Sequence, residues 1–97
     1  MSRMFEKTEI KGVVLKNRFV RSATYEGMAT DDGAVTPKLI ETMADLAKGG
    51  VGLIITGQAY VLEEGKAGPW QLGVHKDDLI PGLQDMTDTV HRYGGKI

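Results

Sequence analysis

Cysteine is absent from these 97 residues, so neither a disulfide framework nor a thiolate metal site can be built, a composition compatible with the cytosol. An excess of one charge is lacking too: 12 basic against 13 acidic side chains leave a formal net charge of −1. That balance offers no electrostatic reason to bind nucleic acid or an anionic membrane. The longest apolar run, VGLIITGQAYV, falls well short of the roughly 20 residues that a membrane-spanning helix takes. The opening MSRMFEKTEIKG carries charge but no apolar core, so it does not read as a secretion signal. Only two histidines occur, His75 and His91, and neither has a histidine four residues away, the spacing that a helical zinc site needs. A cytoplasmic chain without metal, membrane or nucleic-acid partner is expected.

What is present is a regular α/β pattern. Residues 8 to 16, TEIKGVVLK, put Gly12 between two short extended stretches and predict a small hairpin. RFVRSA, from Arg18 to Ala23, is brief and partly alternating, as in a strand. TDDGAV then supplies turn chemistry, with Gly33 free to take positive φ. Thr36 can cap a helix that Pro37 opens, and Leu39, Ile40, Met43, Ala44 and Ala47 share one face before Gly49 and Gly50 end it. VGLIIT, nearly all apolar, predicts a strand buried on both faces and parallel to its neighbours. After a loop from about Gly57 to Lys76, Asp77 or Asp78 opens a second helix with Leu83, Met86, Val90 and Tyr93 on one face. Pro81 is tolerated there because it falls in the first turn.

Both helices close in Gly-Gly directly before a strand, in AKGGVGLII and HRYGGKI, so a βα module repeats. The expectation is an α/β fold, about two and a half βα units preceded by a short hairpin, forming the N-terminal portion of a (β/α)8 TIM barrel. Two complete strands cannot cover their own edges, whereas a closed barrel of about 250 residues can. Residues 1–97 are therefore read as the first part of one such domain.

Several features invite chemistry and are better read as structure. GGVG at 49 to 52 closes a helix and opens a strand, the reverse of a dinucleotide-binding glycine motif. The acidic pairs Asp31-Asp32, Glu63-Glu64 and Asp77-Asp78 fall in turns, loops or helix starts, where carboxylates cap. His91 sits in the last turn of the second helix, complementing its dipole. Trp70 could line a pocket, but a lone loop tryptophan more often anchors its own loop by burying apolar area.

The strand ends differ in kind. In parallel α/β folds ligands sit beyond the carboxyl ends of strands, which singles out Ser22, Ala23, Thr24 and Tyr25 after the first strand and Thr56, Gly57, Gln58 and Ala59 after the second. Both groups mix small residues with hydrogen-bonding ones, so a flat ligand could approach the backbone and bond to its N–H and C=O groups. Tight packing at a barrel rim is the competing explanation.

At these residues the sequence resembles the opening of the Old Yellow Enzyme-like NADH:flavin oxidoreductases. The resemblance rests on LKNRFVRSAT, DDGAVTPKLIETMADLAKGGVGLIITGQAYV and QLGVHKDDLIPGL, in that order and spacing, and is nearest to the branch of bacterial enoate and dienoyl-CoA reductases. It implies an FMN-dependent (β/α)8 barrel that takes hydride from NAD(P)H and passes it to an activated alkene or similar electrophile. It also implies FMN-binding roles for Ser22, Ala23, Thr24, Tyr25, Gly57 and Gln58. Tyr25 stands where many relatives carry a threonine or cysteine that tunes the flavin, and Ala23 where proline is common. Catalytic residues and phosphate loops of the family lie beyond the third strand, so none is expected here. Two other expectations compete: a non-catalytic unit that self-associates through open strand edges into a homo-oligomer, and an aldolase-like barrel. Against the aldolase stands Lys96, which is at the wrong end of its strand for a Schiff base.

Overall fold

The computed structural model describes residues 3–97. A 3-10 turn at Arg3–Phe5 leads into an antiparallel hairpin of β1 (Thr8–Ile10) and β2 (Val13–Leu15), in which Thr8 faces Leu15 and Ile10 faces Val13. Lys11 and Gly12 turn it with φ of 49° and 88°, the pair of positive values that a two-residue hairpin loop demands.

The chain then builds the expected βαβ unit, with shorter strands. β3 (Val20–Arg21) pairs in parallel with β4 (Leu53–Ile54), Val20 facing Leu53 and Arg21 facing Ile54. Between them runs α1 (Pro37–Lys48). The Thr36 side chain accepts the Leu39 N–H at 3.1 Å, Pro37 sits in the first turn, and Gly49 closes the helix before Gly50 turns at φ 95°. A 3-10 turn at Asp77–Leu79 feeds α2 (Ile80–Arg92), and Pro81 lies within its opening turn. Past α2 the Lys96 carbonyl accepts the Ile54 N–H at 2.8 Å, so the chain returns beside β4 where a third strand was expected.

Leu39, Met43 and Ala47 of α1, Met86 and Val90 of α2, Ile54 of β4 and Leu72 form one buried cluster. The helical period puts Met43 fully inside, at 0% exposure, and Met43→Ala should cost about 2–5 kcal/mol by removing those contacts and leaving a void; a denaturant melt measures it. Gly95 lets the chain cross close behind, since a Cβ there would stand 2.9 Å from both Ala47 Cβ and Val90 Cγ1. Tyr93, expected on the apolar face of the second helix, lies at its surface instead, with the Lys48 ammonium 4.6 Å from its ring centroid. It follows the last helical residue, so the helical period no longer aims it inward.

Burial of the VGLIIT strand on both faces is not observed. Alternation along β4 sends Ile54 toward the helices, whereas Val20 and Ile55, on the other side, are each 47% exposed. The helices cover one face, and the other is left half-exposed at Val20 and Ile55.

Candidate functional site

Beyond the carboxyl ends of β3 and β4, two short segments come together. Ser22, Ala23, Thr24 and Tyr25 follow β3 and are exposed; Gly57, buried, and Gln58, exposed, follow β4. Among the described residues, no acceptor is bonded to the backbone N–H of Ser22, Ala23, Thr24 or Gln58. The Thr24 hydroxyl donates to the Ser22 carbonyl at 3.1 Å.

The two segments touch at Gly57. A Cβ there would stand 2.5 Å from the Thr24 carbonyl oxygen and against the Glu26 carboxylate, so only glycine lets the strands' continuations approach this closely. The Gly57 N–H is itself taken by Glu26 Oε2 at 2.9 Å, leaving Gln58 to present the outward-facing donor. Arg21 and Glu26, at either end of the Ser22–Tyr25 segment, form an ion pair of 2.8 Å with side chains only 16% and 7% exposed. Arg21 also donates to the Ile55 carbonyl at 2.9 Å. The sequence reading missed both residues. Their signal was available, since an arginine and a glutamate bracket four small or hydroxyl residues, but nothing in the spacing said that they meet.

A shallow cleft of about 320 Å³ opens here, lined by Tyr25, Gln58, Ala67, Gly68 and Pro69. The Tyr25 hydroxyl donates to the Pro69 carbonyl, and its ring passes between Gly27 and Gly68, where any Cβ would press on it at 3.3 Å. The phenol of Tyr25 thus closes a wall of the cleft instead of pointing into it.

The far wall is the 61–72 loop, and its anchor is not Trp70. That side chain is 52% exposed and its backbone has φ 58°, a left-handed conformation uncommon outside glycine. Its carbonyl accepts the Ala29 N–H at 3.0 Å, so the main chain is pinned while the indole faces outward. Trp70→Gly should leave stability unchanged or raise it by up to about 1 kcal/mol, as thermal unfolding would read. The anchor is Gln71, 3% exposed, whose Oε1 accepts the Ala67 N–H at 2.6 Å and whose Nε2 donates to the Gln58 carbonyl at 3.0 Å. The loop's ends meet in a bridge between Tyr60 and Gly73, where His75 stacks on Tyr60 at 4.7 Å between ring centroids.

A larger cleft of about 490 Å³ lies at the opposite end of the strands, lined by Phe5, Asn17, Phe19, Gly49, Gly50 and Val51. Asn17 donates to the Gly50 carbonyl at 2.6 Å and accepts the Phe19 N–H at 3.0 Å, and Phe5 packs against Phe19 with 5.4 Å between ring centroids. In barrels this end carries stability and the other carries ligands. Among the described residues no group of three or more His, Asp or Glu stands close enough to hold a metal ion. Nor is any described helix long and apolar enough to cross a membrane.

Known proteins share the sequence and the fold of this chain. The chain is similar to N,N-dimethylglycine/sarcosine dehydrogenase of Chromohalobacter salexigens, 34% identical over 96 residues that make up 97% of this chain and 14% of that protein. NADPH dehydrogenase of Halalkalibacterium halodurans is 36% identical over 95 residues, 97% of this chain and 28% of the relative. Among solved structures, 2-naphthoyl-CoA reductase in complex with 2-naphthoyl-CoA superposes with a TM-score of 0.92 at 27% identity, covering 98% of this chain and 15% of that one. The Old Yellow Enzyme homologue of Zymomonas mobilis gives 0.84 at 26% identity, covering 97% and 26%. These neighbours are TIM barrels of the Old Yellow Enzyme type, and the α/β architecture described above matches part of them. The chain thus spans well under a third of the length of these relatives. The family model for NADH:flavin oxidoreductases and NADH oxidases matches residues 3–97, and the chain belongs to that family, whose members include Old Yellow Enzyme.

Proposed function

We propose that residues 1–97 form the opening βα units of a single FMN-binding (β/α)8 domain, and that they supply one wall of its flavin site in an NAD(P)H-dependent oxidoreductase of the ene-reductase type. The observation that carries this reading is the rim of Ser22, Ala23, Thr24 and Gln58, where backbone N–H groups without acceptors among the described residues stand beside exposed, mostly small side chains. Such a rim suits a planar heteroaromatic ring whose edge is lined with carbonyl oxygens and nitrogens. When bound, FMN supplies the hydride chemistry, taking two electrons from NAD(P)H and delivering them to an activated alkene.

The chain's own residues orient and enclose. Ser22, Ala23 and Thr24 offer donors along one edge of the ring, and Gln58 adds an amide that can both donate and accept. Gly57 keeps the two segments at contact distance. Tyr25, committed to Pro69, shapes the wall, so any hydrogen bond that tunes the flavin from this segment falls to Thr24. The exposed face of Val20 and Ile55 is the one that the remaining strands of a barrel would cover.

Residues 1–97 contain no proton donor for the substrate and no phosphate-binding loop on this reading, so by themselves they should not turn over. The test has two arms. The protein carrying this segment in its whole barrel should quench FMN fluorescence on binding and oxidise NAD(P)H with an enone as acceptor. The isolated residues, mixed with FMN and the same substrates, should show no turnover. Failure of the whole barrel to bind FMN, or turnover by residues 1–97 alone, refutes the assignment.

A second reading, self-association, is favoured by the exposure of Val20 and Ile55 along the uncovered face. Burying that face against a second copy would recover its apolar area. Size-exclusion chromatography of residues 1–97 decides, since a monomer across micromolar concentrations removes it.

A further inference from the structure

The ion pair of Arg21 and Glu26 does something that neither packing nor strand pairing requires. It joins the two ends of a four-residue arch, Ser22–Tyr25, whose first three residues make no backbone hydrogen bond through their N–H groups among the described residues. Apart from it, the arch is held by the Tyr25 contact to Pro69 and the short Thr24–Ser22 bond. Each partner also reaches across to the continuation of β4: Arg21 donates to the Ile55 carbonyl at 2.9 Å, and Glu26 accepts from the Gly57 N–H at 2.9 Å. One largely buried pair therefore ties the arch both to itself and to the segment that leads to Gln58.

Building such a pair costs desolvation that well-packed apolar side chains would avoid. Stability alone gives little reason to keep it, whereas a site needing two segments held in a defined relation does. We propose that Arg21 and Glu26 are positioning residues for the flavin, fixing the Ser22–Tyr25 arch against the Gly57-Gln58 segment so that their backbone donors converge on one edge of the ring. This rests on the flavin site proposed above. Neither residue needs to touch the flavin, and both act through the main chain they hold.

The decisive variant is the double substitution Arg21→Met with Glu26→Leu, made in the whole flavoprotein. Removing both charges together leaves no unpaired ion, so the fold should survive, with a melting temperature lowered only by the loss of partners for the Gly57 N–H and the Ile55 carbonyl. FMN affinity should nevertheless fall at least tenfold, and the flavin's visible absorption bands and reduction potential should shift, because the donors along its edge have moved. A purely structural pair would be silent in those last two readouts. Glu26→Gln is the milder companion, keeping shape and one acceptor for Gly57. It should lose several-fold in affinity, and it decides the matter if the double variant fails to fold. Affinity within twofold of the parent, with unchanged spectrum and potential, in a folded variant overturns the proposal.

If the parent itself binds no FMN, the flavin assignment fails, and hydrogen exchange judges the clasp separately. The Gly57 amide should exchange at least tenfold faster in the double variant, and unchanged exchange there overturns the clasp as well.

Discussion

Replacing Gln71 by leucine should remove about 1–3 kcal/mol of stability, because two half-buried backbone groups lose their partners at once. Leucine has nearly the volume of glutamine and would fill the same space, so the effect isolates the hydrogen bonds from packing. The Ala67 N–H and the Gln58 carbonyl would be left facing an apolar side chain in place of the carboxamide. Against the 5–15 kcal/mol that ordinarily separates folded from unfolded domains, this is a large fraction. Urea denaturation of parent and variant measures it directly. FMN affinity should fall in parallel, since the carboxamide also fixes the backbone of Gln58. Gln71→Glu should do little better: it keeps the acceptor for Ala67 but presents an oxygen to the Gln58 carbonyl and places a charge in a site that is 3% exposed. A leucine variant with an unchanged denaturation midpoint would show that the loop is held in another way.

Gly57→Ala should act more locally and damage binding more than folding. The added methyl meets the Thr24 carbonyl oxygen, a backbone atom, at 2.5 Å and presses on the Glu26 carboxylate, which the Arg21 ion pair holds in place. One of the two segments must therefore retreat, breaking the Gly57–Glu26 hydrogen bond or lifting the arch. A stability loss of about 1–3 kcal/mol is expected from the overpacking, together with at least a tenfold loss of FMN affinity in the whole protein. Fluorescence titration with FMN and a thermal melt separate the two effects. Gly12 provides the contrast. A Cβ at that position meets nothing within 4 Å, and its substitution, though it strains the hairpin turn, should leave flavin binding intact.

The elements that local chemistry dictates were legible in the sequence. Thr36, Pro37 and the Gly49-Gly50 pair bound α1 as their capping chemistry requires, and the Leu39, Met43 and Ala47 spacing placed that helix in the core. The hairpin turn at Gly12 and the positive φ of Gly33 were equally readable. What failed was whatever depends on groups distant in the chain. An apolar run reports that a strand can be covered on both sides, not that these residues supply the cover, which is why Ile55 is exposed. Trp70 looked like an anchor because its type carries apolar area, yet its backbone conformation points that area outward. Gln71 carries no local signal of its anchoring role, because its partners, Ala67 and Gln58, only meet it once the loop has closed. The segments at the strand ends could be located from the fold pattern. The ion pair that links them, Arg21 to Glu26 and both to the β4 continuation, depends on contacts 31 and 34 residues apart.

The bridge between Tyr60 and Gly73 gives the molecule a place that tolerates editing. Because Tyr60 donates its N–H to Leu72 at 3.1 Å and accepts from Val74 at 2.9 Å, the two feet of the intervening excursion are fastened side by side, and extra length between them has nowhere to transmit a displacement. Lengthening such a closed excursion is cheap, about 0.6 kcal/mol for each doubling. Its exposed near half, Val61 to Gly65, is thus the natural graft point for an affinity handle or a fluorophore.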